Sequence, residues 1–532
     1  MNDKRITQYA TRNTQYALPR WTSFVGIALI ALASVMAYVG LTRVALGQLG
    51  FPLDDAWIHQ TYARNLVELG RWAFVPGEPS AGSTAPLWTI LLALAHLLPG
   101  DFHLWTYLFG ATGLLMVGVG TWRLSLLLFG NSRLAGVTAL FCLLEWHLVW
   151  AGASGMEITF FGGLALIVMA RYLEGVRGLS GERKRASRLR PLQWGLLTGL
   201  LVMTRPEGLM LGAIIGGHMV LVLATERARA DAEQFGTDLG MGDLLVFGFG
   251  ALLVVGPYLL YNWSLSGTIF PNTYYAKQHE YRILLSAVPW WRRLFSVGAA
   301  PWIGAQVLLL PGLVYQVITG GQRDGSSRWL ALLSSNVPLG WALLTILAYA
   351  LRLPVTYQHG RYVMPVIPVL IVYGVGGTER LLNRLDLRLL RFVVALSTGA
   401  LLVAFWVLGA QAYVQDVDII NCEMVSIARW LDANAPPDAL IAAHDIGAIG
   451  YFTRRPLLDL AGLVNPEVIP ILRDEAALQV WLVRRRADYL VTLGDWYTTL
   501  GRTADWLAIH RASCPRVQAA GKEDIVVYVA VR

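Results

Sequence analysis

The residues best suited to chemistry in this 532-residue chain stand beside its apolar runs. FPLDDAWIHQTYARNL (51–66) places two adjacent carboxylates, Asp54 and Asp55, with His59 and Arg64, directly after the first such run. SGME (154–157) supplies Glu157, and TRPEG supplies Arg205 and Glu207. PNTYYAK (271–277) supplies Asn272, Tyr274, Tyr275 and Lys277, and YQHGRY (357–362) supplies Gln358, His359, Arg361 and Tyr362. Ionisable groups next to an apolar layer are costly and mark pairs or pathways. A carboxylate within hydrogen-bond reach of a hydroxyl can act as its base, and repulsion between adjacent acids raises the pKa of one of them. Arginine and lysine offset negative charge growing on a phosphate, arginine through a fork matched to its oxygens. The set reads as one site that binds something anionic beside a carboxylate. Each residue also has a plain structural reading: Arg205 pairing with Glu207 across a turn, Lys277 snorkelling to headgroups, Glu157 or the double acid starting a helix, Arg361 anchoring an interface. Their convergence outweighs these.

The elements that must position these residues are membrane helices. Mean hydropathy is +0.50. Hydrophobic residues make up 55% of the chain and charged residues 15%, against about 25% charged in soluble domains. Runs long enough to cross a bilayer predict spans near 22–43, 104–128, 133–150, 157–173, 192–204, 209–224, 243–262, 296–318, 329–350, 362–378 and 392–412. That is eleven crossings, with PLWTILLALAHLL (86–98) lying at the outer surface. The formal charge of +8 does not mark a nucleic-acid binder, because the basic residues cluster between apolar runs. There they report orientation: Lys4, Arg5, Arg12 and Arg20, the loop 175–190 with Arg177, Arg183, Lys184, Arg185, Arg188 and Arg190, and Arg380, Arg384, Arg388 and Arg391 are expected inside. The N-terminus is then cytoplasmic, and the outer loop 44–103 carries the acids. Residues 1–413 form the membrane domain. In 414–532, short apolar runs alternate with amphipathic stretches and predict a small extracytoplasmic α/β domain. Cys422 and Cys514 share that compartment and either pair or stay free; Cys142 lies in a span.

DDAWIHQTYARNL, WAFVPGEPSAGSTAPLWT, ASGMEITF, TRPEG, PNTYYAK and HGRYVMPVIPV, in this order over residues 51–370, resemble the GT-C superfamily of membrane glycosyltransferases. Among these, the chain is most similar to the mycobacterial terminal β-(1→2)-arabinofuranosyltransferase group. It departs from that pattern in reading AGST before PLW. The resemblance implies an outer-face active site in the cell membrane and a polyprenyl-phosphate-linked sugar as donor. It also implies a glycan or glycolipid of the cell envelope as acceptor. In that chemistry Asp54 is the expected base, with Asp55 orienting the acceptor or holding a metal. Arg205, Lys277, His359 and Arg361 meet the donor phosphate. His59, Glu157, Glu207, Asn272, Tyr274, Tyr275 and Tyr362 support or line the acceptor. Direct displacement predicts inversion. Asp54, Asp55 and Glu157 offer oxygen ligands for Mg, Mn or Ca, although a basic cluster that already neutralises the phosphate needs no cation. The competing reading is a transporter or flippase for a lipid-linked or anionic substrate. That would call for broken helices in related halves, and TRPEG has no such counterpart.

Overall fold

Pro52 and the double acid separate two helices with different tasks. In the computed structural model, which describes residues 21–176, 189–227, 239–319, 328–494 and 496–531, the first apolar run is α1 (Trp21–Leu46) and the acids open α2 (Asp54–Leu69). Carboxylates suit the positive end of a helix, and Gly70, left-handed at φ 63°, closes α2. A short antiparallel pair, β1 (Ala73–Val75) and β2 (Glu78–Pro79), leads to α3 (Pro86–Leu97), which begins on a proline as helices tolerate. Then come α4 (Phe102–Phe129), α5 (Ser132–Leu144), α6 (Trp146–Ala153) and α7 (Ile158–Val176). These are followed by α8 (Leu189–Thr204), α9 (Gly208–Arg227), α10 (Met241–Ser266) and α11 (Asn272–Glu280). The bundle ends with α12 (Trp290–Ala299), α13 (Leu310–Thr319), α14 (Arg328–Arg352), α15 (Ile367–Leu385) and α16 (Arg388–Ile420). Small residues let these helices touch: a Cβ on Gly110 of α4 would lie 1.9 Å from the Gly152 carbonyl of α6.

The protein is a polytopic α-helical membrane protein, but the eleven expected crossings are not reproduced. Among the described residues, six helices are long and apolar enough to span, or up to eight if each bent pair counts as one. The expected span 133–150 is two helices bent by 55° at Glu145, whose carboxylate caps α6 by accepting from Leu148 N at 3.0 Å. The expected span 296–318 is likewise broken, by 102°. Helix α8 has only 16 residues, about 24 Å at 1.5 Å per residue, short of the roughly 30 Å of bilayer hydrocarbon. The basic residues at 4, 5, 12 and 20 and at 177, 183, 184, 185 and 188, on which orientation was argued, lie outside the described residues.

Beyond α16 the helix runs on through a π-turn, Asn421–Val425, into α17 (Ser426–Asn434). A five-stranded mixed sheet follows: β3 (Ile441–Ala443), β4 (Leu457–Asp459), β5 (Tyr489–Leu493), β6 (Trp506–Arg511) and β7 (Ile525–Ala530), in the order β4-β3-β5-β7-β6. Strands β4, β3 and β5 are parallel, linked by α18 (Gly447–Thr453) and α19 (Glu475–Arg485), and β7 turns the far side antiparallel. The parallel strands β3 and β4 are buried along their whole length, β3 wholly apolar and β4 apolar up to Asp459 at its end. Cys422 in the π-turn is disulfide-bonded to Cys514, Cα atoms 5.4 Å apart, and so ties the sheet to the helix that carries it. Replacing both cysteines with serine is expected to destabilise this domain by about 2–4 kcal/mol. Faster proteolysis of residues 426–531 in otherwise intact membranes is the check, and unchanged resistance would contradict it.

Candidate active site

Neighbouring residues on a helix point about 100° apart, and α2 uses this to serve two surfaces. Asp54, Trp57, Arg64 and Glu68, at helical three- and four-residue steps or their multiples, face the C-terminal domain. The Asp54 carboxylate accepts from Gly447 N at 2.7 Å and Ala448 N at 2.8 Å, the first residues of α18. Trp57 packs on Tyr451 and Phe452, ring centroids 5.0 and 4.9 Å away. Arg64 donates to the Tyr451 carbonyl, and Glu68 pairs with Arg454 at 2.8 Å. Only glycine fits at 447, where a Cβ would stand 2.1 Å from the Asp54 carbonyl. The other face presents Asp55, Ile58 and His59 to a cavity of about 60 Å³.

That cavity gathers residues from six segments: Asp55 and His59; Gly82, Ser83 and Thr84; Glu157; Arg205; Thr273 and Lys277; and Arg361 with Tyr362. Leu463 of the C-terminal domain closes it. Arg361 Nη2 donates to Asp55 Oδ2 at 2.5 Å, and Lys277 Nζ lies 3.9 Å from the same oxygen. Lys277 also donates to the Tyr362 hydroxyl at 3.0 Å. A second group holds Arg205 between Glu157 (3.3 Å) and Glu207 (2.9 Å), with His59 Nε2 at 3.5 Å from Glu157 Oε2. Burial alone would raise the Asp55 pKa, but Arg361 and Lys277 outweigh it and hold this carboxyl well below the usual range. Burial lowers the pKa of His59 against the pull of Glu157 and Asp55, which favours the neutral imidazole. Asp54 goes the other way. Burial first, then the charge of Asp445, push it up to about 8 against the two backbone donors. One member of the double acid thus has the raised pKa expected of adjacent carboxylates, with desolvation as its main cause.

Among the described residues, three buried polar atoms lining the cavity have no hydrogen-bond partner: Nε and Nη1 of Arg361, and Oε2 of Glu157. Orphaned buried groups are rare and call for an explanation. The donors suit an anion and the acceptor suits a hydroxyl. Not every expected residue arrives here. Asp54 is turned to α18, and Glu207 stands behind Arg205, where it accepts from the Tyr349 hydroxyl. His359 and Gln358 take left-handed backbone at φ 61° and 52°; His359 Nε2 then meets Asp416 at 2.7 Å while Arg361 lines the cavity. Asn272 is buried with its backbone N–H on the Ala81 carbonyl, and the Tyr274 ring meets Phe270 at a tilt and Tyr275 edge-on. Asp54, Asp55 and Glu157 do not form a ligand set: among the described residues no group of three or more His, Cys, Asp or Glu could hold a metal ion. Thr273 and Ser83 were missed, being small hydroxyl residues with no distinctive spacing, and Leu463 has no polar signal at all.

The architecture has close counterparts among solved structures. ArnT from Cupriavidus metallidurans, in a structure bound to undecaprenyl phosphate, matches at TM-score 0.58 and 15% identity over 96% of this chain and 97% of that one. The oligosaccharyltransferase of Archaeoglobus fulgidus matches at 0.59 and 14%, over 96% and 73%. The arabinofuranosyltransferase AftD from mycobacteria matches at 0.52 and 14%, over 97% of this chain but 42% of that one. The fold is that of GT-C glycosyltransferases. Within the GT-C fold, residues 411–528 match a family model described only as a domain of unknown function (DUF8728). No curated protein matches by sequence.

The Asp54 contact carries a pH dependence. When α18 is docked the carboxyl has a pKa of about 8, against an ordinary value of 3.8. A raised carboxyl pKa stabilises the docked state fully below the ordinary value and loses that contribution as pH rises through the docked one. Amide exchange of residues 447–453, corrected for intrinsic rate, is therefore expected to speed up between pH 6 and pH 9. Asp54→Asn should flatten that slope, and a slope unchanged by the substitution would contradict the assignment.

Proposed function

We propose that this protein is a glycosyltransferase that moves a sugar from a polyprenyl-phosphate donor to a cell-envelope glycan or glycolipid, with inversion, at the outer face of the cell membrane. The observation that carries this reading is the set of orphaned atoms in one cavity: two guanidinium donors of Arg361 for an anion and one carboxylate oxygen of Glu157 for a hydroxyl. The GT-C fold, and the undecaprenyl phosphate named with ArnT, support the donor class. A lipid-linked donor also suits a site with no cytoplasmic nucleotide sugar at hand. The likeness to AftD makes arabinofuranose the first sugar to try.

The chemistry follows from the charges. The donor phosphate takes Arg361 and Lys277, and Asp55 loses the two cations that depress its pKa. Asp55, rather than Asp54, is the base in this reading. The acceptor oxygen forms its bond to the anomeric carbon as the bond from that carbon to the phosphate oxygen breaks. The acceptor proton passes to Asp55, and the polyprenyl phosphate leaves with its charge held by Arg361 and Lys277. Glu157, kept in place by Arg205, accepts from a hydroxyl of the transferred sugar. The residues present do not assemble a three-ligand cation site, and no step passes through one.

Orientation belongs to the same proposal. Arg388 and Arg391 begin α16, and the disulfide lies just past its end, 33 residues on. The helix is about 50 Å long, so these features stand on opposite sides of a bilayer. Basic residues favour the cytoplasmic side and disulfides an oxidising one, which supports a reading with the sheet and the cavity outside.

Transfer from synthetic polyprenyl-phosphate sugars, arabinofuranose first, is expected from the purified protein in nanodiscs, with product of inverted anomeric configuration by NMR. Asp55→Asn should lower kcat by about 10²–10⁴-fold, the usual worth of a positioned base. Full activity of that variant would overturn the role of Asp55. Retention of configuration would overturn the direct displacement.

A further inference from the structure

In open sheets with parallel strands, ligands bind outside the carboxyl ends of those strands. Here all three parallel strands end toward the cavity side of the C-terminal domain. The segment after β4 supplies Leu463 to the cavity, its turn fixed by Asp459, which accepts from Ala461 N and Val464 N at 2.8 and 2.7 Å. The segments after β3 and β5 supply His444 with Asp445, and Trp496 with Tyr497, and these meet: the His444 ring lies 4.8 Å from the Trp496 ring, and its Nδ1 is 3.0 Å from the Tyr497 hydroxyl. Arg473 lies over the Trp496 ring at 5.2 Å and reaches Glu280 of α11 at 3.6 Å. Glu280 stands one turn beyond Lys277, so this cluster adjoins the phosphate-facing cavity along α11. None of these residues except Lys277 has a part in the chemistry above.

Two features ask for a ligand. Trp496 leaves 37% of its surface exposed. Asp445 is half-buried yet makes no hydrogen bond or ion pair among the described residues. Its pKa is pushed up to about 6 by burial and by the charge of Asp55. Asp54 fixes its position by gripping the N–H groups of Gly447 and Ala448, two and three residues further on. The depression here, about 10 Å³ and lined by His444, Asp445 and Trp496, is water-sized, so a ligand would lie across it.

We propose that the segments after β3 and β5 form the acceptor subsite, and that the acceptor is a saccharide whose ring lies on Trp496 and whose hydroxyls donate to Asp445. This rests on the glycosyltransferase reading and adds the place where the acceptor is held and the residues that hold it. The exposed part of the indole offers a sugar ring apolar contact without burying its hydroxyls. An unpartnered carboxylate beside it selects a hydroxyl donor. Arg473 lies over the indole and ties it to α11, so the acceptor is positioned relative to Lys277 by the same helix.

The test uses the full chain in nanodiscs, a synthetic polyprenyl-phosphate sugar as donor and a panel of octyl glycosides as acceptors, with undecaprenyl phosphate binding measured separately. Trp496→Ala and Asp445→Asn are expected to raise the glycoside KM about tenfold or more, the loss of one good contact, while the Kd for undecaprenyl phosphate moves less than about twofold. Trp496→Phe, which keeps a ring, should retain most of the affinity. An unchanged KM in both variants would overturn the subsite. Transfer to an Asn-Val-Thr peptide but to no glycoside would overturn the saccharide class. A wild-type protein that neither binds undecaprenyl phosphate nor transfers sugar would overturn the underlying reading, and the subsite with it.

Discussion

Asp55 stands between Arg361 and Lys277, and one carboxylate offsets part of the charge of two cations at the edge of an apolar layer. Burying a guanidinium without a partner costs several kcal/mol, so in the resting protein Asp55 is what makes the basic cluster tolerable. The arrangement is also unfinished, because Arg361 keeps two N–H groups without acceptors. In the proposed reading, a site that keeps net positive charge and is short of acceptors exchanges its internal anion for an external one. That exchange would release the carboxylate at the moment an acceptor hydroxyl needs a base. In that reading the single pair links donor binding to reactivity.

The rest of the structure serves to hold that pair. Helix α2 delivers Asp55 only because its opposite face is locked to the C-terminal domain by Asp54, Trp57, Arg64 and Glu68. Helix α11 delivers Lys277 and, one turn on, meets the same domain through Glu280 and Arg473. The sheet in turn is fixed to the last long helix by the disulfide. The C-terminal domain is therefore part of the frame of the cavity, and contributes Leu463 to its wall.

Much of this was legible from residue types. Asp55, His59, Glu157, Arg205, Lys277, Arg361 and Tyr362 meet around one cavity because ionisable and hydrogen-bonding groups beside apolar runs must find one another or water. The alternation in the tail likewise announced a sheet. What escaped was direction. Asp54 and Asp55 are equivalent in sequence, and only the 100° step between them, set by docking of α18, decides which faces the cavity. His359 and Arg361 are two residues apart, yet a left-handed backbone sends the former to Asp416. The spans were overcounted because hydropathy averages over breaks, although Glu145, an acid inside an apolar run, was the visible sign of one. Asp445 sat unnoticed in AAHDIGAIG, where the apolar pattern hid a polar turn at the end of a strand.

The central claim is that the donor phosphate and Asp55 compete for the same two cations. It is tested most directly by the affinity of undecaprenyl phosphate for Asp55→Asn, measured in nanodiscs beside the wild-type protein. Removing the internal anion should tighten binding, by about tenfold for 1.4 kcal/mol of relieved competition, even though the variant is a poor catalyst. Equal or weaker binding would mean that Asp55 does not stand in the phosphate's place, and the coupling of donor binding to base release would have to be given up.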